Sequence, residues 1–277
     1  MKDLLAVVTA VSGDTVGCAA NYALALAGLT GAHLTALIAE IESGSGAPSV
    51  EPDNMQGGIE GARSLSTMGR LTRTTELIQA AAKLANVPCT LLSDGRSLSL
   101  RELLIGNAQV RDCVILDVQG PLRHPRQGLI EAVLFGSGRP IILVPRTARP
   151  FAHDRILVAW DATRSAVRAL HDALPLLIRA RDVAIVSVTD DKEFPAAHSG
   201  EDVCRYLSRW DVDSHFERVK RGSQNVGFAL LDYAARIEAD LLVMGGFGHS
   251  REREFIFGSA TRDIFHSDLE IAVLLSH

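Results

Sequence analysis

The sequence predicts an α/β fold with two doubly wound, mainly parallel five-stranded sheets repeated in tandem. Short runs that are apolar on successive residues alternate with segments of helical period, which is typical of strands buried on both faces of a parallel sheet. The chain also repeats itself. Residues 4–9 (LLAVVT) resemble residues 156–161 (ILVAWD), and residues 112–118 (DCVILDV) resemble residues 240–246 (DLLVMGG). Because strands that alternate with helices form right-handed crossovers, each half is expected to form one such sheet.

In the N-terminal half, the first strand is followed by an uncharged stretch from Thr15 to Ala39. This stretch is long enough to span a bilayer. It contains polar residues such as Asn21, however, and Thr30-Gly31 interrupts it. We therefore predict a buried helix, a turn and a buried strand there instead of a membrane span. Residues 112–118 and 140–145 supply the last two strands predicted for this half.

The C-terminal half contains five predicted strands. Four of them are continuously apolar: residues 155–160, 183–188, 240–244 and 271–275. The fifth, residues 214–219, is more polar and is placed nearer an edge of the sheet. Two helices between these strands are each expected to bury one apolar face. The residues assigned to these faces are Val167, Leu170, Leu174 and Leu177 in the first helix, and Phe228, Leu231, Ala235 and Ile237 in the second.

Two domains follow from the repeat, over residues 1–146 and 154–277, each long enough to bury a core. The segment from Arg146 to His153 joins them, because it is neither periodic nor long. The interval between matched segments shortens along the chain, so the first domain carries an insertion. Residues 44–61 are rich in Gly, Ser and Pro without a buried pattern, and we predict an extra loop there.

Charge argues against nucleic acid as a partner. The 277 residues include 28 Lys and Arg against 33 Asp and Glu, for a net charge of −5. The basic and acidic counts are 13 and 13 up to residue 150, and 15 and 20 after it. Neither half therefore has the basic excess that neutralises a polyphosphate backbone. Small anions remain candidate ligands, because a helix N-terminus binds them without net positive charge.

The cysteines indicate a reducing compartment. Cys18, Cys89, Cys113 and Cys204 are far apart and form no CxxC or metal-ligand spacing. We expect them to pack as small hydrophobic residues, and we assign no metal site. The N-terminal Met1-Lys2-Asp3 lacks the net positive charge of a signal peptide. The expectation is a cytoplasmic protein that does not associate with a membrane.

The strongest functional signal follows the strand at residues 240–244. Gly245-Gly246-Phe247-Gly248 is separated by nine residues from Gly258-Ser259, which opens a helical stretch, so the pattern is G-x2-G-x9-G-S. Glycines let the backbone approach a ligand closely and turn successive N–H groups toward an anion. Ser259 would add a hydroxyl and the positive end of a helix dipole. The pattern predicts a phosphate-bearing ligand, and a plain turn after the strand is the alternative.

This segment resembles a known family. Residues 244–262 (MGGFGHSREREFIFGSATR) resemble the G-2x-G-9x-G-S/T nucleotide motif of the universal stress proteins, and residues 159–170 (AWDATRSAVRAL) resemble the family's first strand, its acidic residue and the following helix. The resemblance covers both halves and implies a tandem protein with two Rossmann-like domains. It also implies a stress-response regulatory protein that binds ATP or a related adenine nucleotide, with or without Mg²⁺, in the C-terminal domain.

The resemblance assigns residues at the strand ends to the nucleotide. Asp161 would contact the adenine, and Val188 would meet it through its backbone. The full set is Ala159, Trp160, Asp161 and Val188 for the base pocket, and Met244, Gly245, Gly248, Gly258 and Ser259 for the ribose and phosphates. Two alternatives stay open, because Asp161 could instead cap the helix that starts near Thr163 and Trp160 could belong to the core.

The N-terminal half departs from the family's pattern. Thr9 stands where Asp161 is expected, and Asp117 takes the place of the motif's first glycine. A carboxylate at that position would put negative charge where phosphates should lie. The next glycines, Gly120 and Gly128, are separated by seven residues instead of nine. We expect a degenerate domain that does not bind ATP in this way.

Three classes of function compete. The first is a nucleotide-binding regulatory protein, and the second is a nucleotide-free scaffold of the universal stress type or a binder of another small molecule. An ATP-using enzyme is the third. It is disfavoured because residues 160–166 (WDATRSA) contain no glycine and the chain has no GxxxxGK[ST] motif. No catalytic residue is assigned, so slow ATP hydrolysis is the most that we expect. The resemblance also implies that the halves form a pseudo-dimer through their final strands, and a homodimer is a further option.

Overall fold

The computed structural model describes most of the chain. The described residues are 1–9, 16–39, 56–93, 99–118, 126–146, 151–190, 199–247 and 259–277. Side chains are described within these ranges except at residues 9, 56–68, 93, 126 and 259. No helix in these ranges is both long and apolar enough to cross a membrane.

Strands and helices alternate through both halves. The N-terminal elements are β1 (Asp3–Thr9), α1 (Cys18–Thr30), β2 (His33–Ala39), α2 (Gln56–Leu84), β3 (Cys89–Ser93), α3 (Leu100–Gln109), β4 (Cys113–Val118), α4 (Arg126–Ser137) and β5 (Ile141–Pro145). The C-terminal elements are β6 (Arg155–Ala159), α5 (Arg164–Leu177), β7 (Asp182–Val188), α6 (Gly200–Leu207), β8 (Ser214–Val219), α7 (Val226–Arg236), β9 (Leu241–Gly245), α8 (Ser259–His266) and β10 (Ala272–Ser276). A short 3₁₀ turn, Ser208–Trp210, follows α6.

The two predicted five-stranded sheets are continuous with each other. The ten strands form one sheet in the order β3-β2-β1-β4-β5-β10-β9-β6-β7-β8. The pairs within each half are parallel, whereas β5 and β10 pair antiparallel, with Leu143 opposite Val273. The two halves therefore run in opposite directions. The carboxyl ends of the C-terminal strands lie at the same edge as the amino ends of the N-terminal strands.

The predicted fold class is confirmed, because helices cover both faces of this sheet. The strand residues alternate between two buried cores: Leu4 and Val243 belong to the core under α1, α2, α5 and α6, and Leu5 and Leu242 to the core under α3, α4, α7 and α8. Burial on both faces explains why these strands are apolar on successive residues. The more polar β8 lies at the end of the sheet, as its sequence predicts.

The uncharged stretch that starts at Thr15 forms the predicted helix, turn and strand from residue 16 onward. Helix α1 ends at Gly31, whose φ of 63° is left-handed and whose N–H donates to the carbonyl of Ala27. Glycine takes this conformation without steric cost, which is why it so commonly ends helices. Strand β2 follows at once and is buried between β1 and β3.

The loop predicted over residues 44–61 is wrong at its end. Residues 56–61 already belong to α2, and residues 44–55 lie outside the described residues. Three glycines made a loop plausible there, because each lowers helix propensity. Tertiary packing outweighs propensity in the later turns of α2, where Thr74, Ile78 and Ala82 are buried, and a helix anchored in this way propagates backward.

The predicted apolar faces of the two C-terminal helices are only partly right. In α5, Leu170 and Leu177 are buried, but Val167 is 40% exposed. In α7, Leu231 and Ile237 are half-buried against the core, but Ala235 is exposed and Phe228 is 40% exposed. The face that packs on the sheet consists of Gly227, Ala229, Leu230, Tyr233 and Ala234. Helix α7 is apolar on both sides, so periodicity alone could not identify the side that the sheet covers.

Candidate functional site at the carboxyl ends of the C-terminal strands

The turn from β6 into α5 fixes Asp161. Its Oδ1 accepts hydrogen bonds from the Thr163 N–H at 3.1 Å and from the Thr163 hydroxyl at 2.6 Å. The Thr163 Oγ1 in turn accepts from the N–H of Ala166 at 3.3 Å and so caps α5. Asp161 thus supports the helix cap, which was the structural alternative to a ligand contact. Ala162, between them, has a left-handed φ of 57°.

Trp160 lies in the core, which was the alternative to a position in the base pocket. It is 8% exposed and belongs to the core under α1 and α5. Its N–H donates to the carbonyl of Val186 at 2.8 Å, and its own carbonyl accepts from the buried Ser187 hydroxyl at 2.7 Å. These bonds extend the β6–β7 pairing past the end of β6 and hold the following turn in place. Ala159, one residue earlier, is half-buried on the opposite face.

The backbone of Val188 points toward this turn. Along a strand, successive residues direct their N–H and C=O groups to alternate sides. The Val186 carbonyl bonds to β6 and the Thr189 N–H bonds to the carbonyl of Val219 on β8. By alternation, the N–H and C=O of Val188 face β6, beside the segment that begins at Trp160. The Val188 side chain is itself buried.

The end of β9 lies directly against the start of α5. A Cβ built on Gly245 would be 2.6 Å from the Ala166 N, the Ser165 carbonyl carbon and the Ser165 Oγ. No side chain fits at that distance, so glycine is required here by helix–strand packing. Met244, just before it, is buried. The carboxyl ends of β6 and β9 and the start of α5 therefore meet in one place.

The two separated parts of the glycine motif meet in space. The N–H of Phe247 donates to the Thr261 Oγ1 at 3.2 Å, which links the end of β9 to the first turns of α8. Phe247 has a left-handed φ of 55°, which is uncommon for an aromatic residue and marks a constrained turn. Its ring packs against Phe135 and Phe265 at centroid distances of 4.9 and 5.9 Å. Gly248 and Gly258 lie outside the described residues, and Ser259 is the first residue of α8.

Helix α8 is held by a buried carboxylate that the sequence analysis missed. Asp263, 4% exposed, accepts at Oδ1 from the Asn225 side-chain amide at 3.1 Å and at Oδ2 from the Gly227 N–H at 3.2 Å. Asn225 is the N-cap residue of α7 and makes no cap with its own side chain. Asp263 satisfies the start of α7 from a neighbouring helix, and it thereby fixes the direction of α8.

The carboxylate of Asp190 closes the turn beyond β8. Asp190 follows β7, and its carboxylate accepts from the N–H groups of Arg221 at 2.7 Å and Gly222 at 3.0 Å. The Arg221 N–H holds the pKa of Asp190 below its ordinary value, and the Gly222 N–H adds to the effect. Asp161 and Asp190 are thus both engaged by backbone N–H groups of the turns at this edge.

The matching positions of the N-terminal half differ. Asp117 is half-buried in β4, opposite Val144, and Gly128 lies within α4, so no loop of the expected length separates it from the strand. The Thr9 side chain and Gly120 lie outside the described part of the chain. What the structure describes of this half contains no counterpart of Gly245 packed on a capped helix.

Helix N-termini beside the carboxyl ends of a doubly wound sheet are where proteins of this class bind ligands. Residues 152–268 match the model of the Universal stress protein family. The C-terminal half of the chain therefore belongs to that family, which confirms the resemblance seen in its glycine motif. No curated protein matches the chain.

Solved structures extend the likeness to both halves. A universal stress protein from Archaeoglobus fulgidus is 15% identical, with a TM-score of 0.69 over 98% of this chain and 95% of that one. A proposed universal stress protein from Pseudomonas aeruginosa is also 15% identical, with a TM-score of 0.58 over 99% and 92% of the two chains. At this identity the likeness shows a shared fold, and it covers nearly the whole chain.

Proposed function

We propose that this member of a stress-response family is a regulatory protein that binds ATP or a related adenine nucleotide in its C-terminal half. The observation that carries the proposal is the Phe247–Thr261 hydrogen bond, because it brings the two parts of the glycine motif together at the carboxyl edge of the sheet. A ligand that touches the end of β9 would there also face the N-terminus of α8.

The base would be held beside the turn after β6. The Val188 backbone is directed at this turn, and adenine presents both hydrogen-bond donors and acceptors at its edge. Asp161 would contact the base while its Oδ1 keeps the hydrogen bond from the Thr163 N–H. Trp160 would support the pocket from the core without stacking on the base, since its ring is buried. Ala159 would add apolar surface.

The phosphates would lie between the end of β9 and α8. A helix N-terminus carries about half a positive charge and several unpaired N–H groups, which suit an anion. Asp263 keeps this helix in place, and Ser259 would supply a hydroxyl in its first turn. Met244, Gly245, Gly248 and Gly258 retain the roles that the resemblance implies. These donors bind ground state and transition state alike, so we expect slow hydrolysis at most.

The test is to denature freshly purified protein and to identify the released small molecules by anion-exchange chromatography with mass detection. We expect about one adenine nucleotide per chain, since one half carries the full motif. Gly248→Val should abolish binding by placing a branched side chain in the motif. Gly120→Val is the matched control in the N-terminal half and should leave binding unchanged.

A second function has its own signature in this experiment. Protein that releases no nucleotide and binds no added ATP would be the nucleotide-free scaffold. Equal loss of binding in Gly248→Val and Gly120→Val would also contradict the proposal, because it would mean that the motif of the C-terminal half is not the site.

A further inference from the structure

A cavity of about 470 Å³ opens at the edge of the sheet opposite the nucleotide site. It lies beside the amino ends of β9 and β10, where the two halves meet. Tyr22 of α1 and Phe151 of the connecting segment form one wall, with their rings 4.8 Å apart edge to face. Helix α7 and the segment between α8 and β10 form the other wall. Its volume is in the range of small-molecule sites.

The apolar lining includes the face of α7 that the sequence predicted to be buried. Phe228, Leu231 and Ala235 line the cavity from this face, and Ile271 adds to them from the start of β10. Phe228 is 40% exposed although it is a large aromatic residue. The sheet covers the other side of α7, so this second apolar side is left for an occupant of the cavity.

The charge around the cavity has one sign. Five carboxylates line it: Asp232, Glu238, Asp240, Asp268 and Glu270. Among the described residues, no Lys or Arg is part of the lining. The nearby Arg155 reaches Glu238 at 3.9 Å, but it also pairs with Asp182 at 3.6 Å and donates to the Ile237 carbonyl.

The carboxyl ends of two helices add to the negative charge around the cavity. Helices α7 and α8 both end at this edge of the sheet, at Arg236 and His266. The carboxyl end of a helix carries a partial negative charge, which favours cations. An anion such as a nucleotide would meet carboxylates and helix carboxyl ends together, so this cavity is unsuited to the ligand proposed for the other edge.

A tyrosine of low exposure forms part of the same cavity. Tyr22 is 6% exposed and lines the wall. Burial raises the pKa of the Tyr22 phenol, and the charge of Asp240 acts in the same direction. The phenol therefore stays neutral and can accept a hydrogen bond. A ligand N–H could therefore donate a hydrogen bond to this hydroxyl.

We propose that this cavity binds a small organic cation, an amine with an apolar body. The apolar body would lie against Phe228, Leu231 and Phe151, and the ammonium group would lie near Tyr22 and Asp240. Aromatic rings beside the charge add a favourable cation–π contribution. Such a ligand would contact both halves of the chain at once.

The test uses three probes with the same body and different charge: 4-phenylbutylamine, 4-phenylbutanol and 4-phenylbutyrate. Binding to the full chain is measured by isothermal titration calorimetry and by saturation-transfer NMR. We expect the amine to bind about tenfold or more tighter than the carboxylate, because several carboxylates contribute, each by a small factor. Equal binding of all three probes, or no binding of the amine, would overturn the proposal.

Variants locate the binding. Asp268→Asn with Glu270→Gln removes two exposed carboxylates of the lining and should weaken amine binding by about three- to tenfold. Asp211→Asn with Asp213→Asn makes the same charge change at the exposed turn before β8 and should leave binding unchanged. Ala235→Trp, on the exposed side of α7, fills the cavity and should abolish binding while the thermal unfolding midpoint is kept. Amine binding that survives this substitution would place the ligand elsewhere and refute the site.

Discussion

The strands β4 and β9 occupy matching places in the two halves, yet their ends differ. Both contribute inward residues to the same core, such as Leu116 and Met244. At the end of β9, Gly245 lies against a helix whose N-cap, Thr163, is itself held by Asp161. At the end of β4 stands Asp117, and the helix α1 starts after an N-cap glycine that makes no side-chain cap.

This difference separates what makes the fold from what makes the site. The fold depends on apolar residues within strands, and both halves have them. The candidate site depends on a few residues that come after the strands, and in the part of the chain that the structure describes, only the C-terminal half shows a glycine packed on a capped helix. The N-terminal half therefore keeps an intact sheet without these residues, and it pairs with the other half through β5 and β10.

The largest effect is expected where strand and helix touch. Gly245→Ala would place a methyl group 2.6 Å from the backbone of Ser165 and Ala166, and backbone cannot move aside as a side chain can. We expect the free energy of unfolding to fall by about 3 kcal/mol. Urea denaturation measures it. Gly245 is for this reason a poor position for testing nucleotide contacts alone.

The control for this substitution is a glycine of the N-terminal half. Gly128→Ala in α4 introduces a methyl group that meets nothing within 4 Å. Stability should stay the same or rise by up to about 1 kcal/mol, because alanine favours a helix. If both substitutions destabilised the protein equally, the close contact of β9 with α5 would not be the cause.

The next effect compares how α3 and α7, matching helices of the two halves, begin. Helix α7 is capped from outside by Asp263, and α3 is capped within itself by Ser99 and Glu102. Asp263→Ala leaves a buried N–H without a partner and should cost about 2 kcal/mol. It should also weaken nucleotide binding, since Asp263 fixes α8.

Ser99→Ala is the matched change in the N-terminal half. It removes an ordinary N-cap and should cost about 1 kcal/mol. Nucleotide affinity, measured by calorimetry on the same preparations, should not change. If Asp263→Ala lost stability without losing nucleotide affinity, the position of α8 would not matter for the ligand.

These contacts also show how far the sequence predicts the molecule. The strands of the C-terminal half were placed to within a residue of β6 to β10, because burial on both faces leaves a continuous apolar run. The edge position of β8 followed from its polarity. The predicted buried face of α7 was only partly right, because the helix is apolar on two sides and the packing of the sheet decides which side is buried.

The site was harder to predict, because its contacts join distant parts of the chain. Asp263 acts on Gly227, which is 36 residues away, and nothing in the local pattern of α8 marks a buried carboxylate. Gly245 was assigned to the phosphates, whereas the structure shows that helix packing already requires a glycine there. A spacing motif identifies the segment, but it does not separate the packing role of a glycine from a binding role.

The smallest effect concerns pH and the turn that Asp190 closes in the C-terminal half. Its carboxylate is ionised when it accepts the N–H groups of Arg221 and Gly222, and this lowers its pKa in the folded state. The contribution to stability is therefore fully present above the ordinary pKa of an aspartate. As pH falls through the lower pKa of the folded state, the carboxyl is protonated and the contribution is lost.

Asp190→Asn is neutral throughout, so the difference in unfolding free energy between wild type and variant should be largest near pH 7 and should shrink toward about pH 3. Urea denaturation across this range measures the difference. A difference that stayed constant with pH would mean that the turn is held by the shape of the side chain and not by its charge.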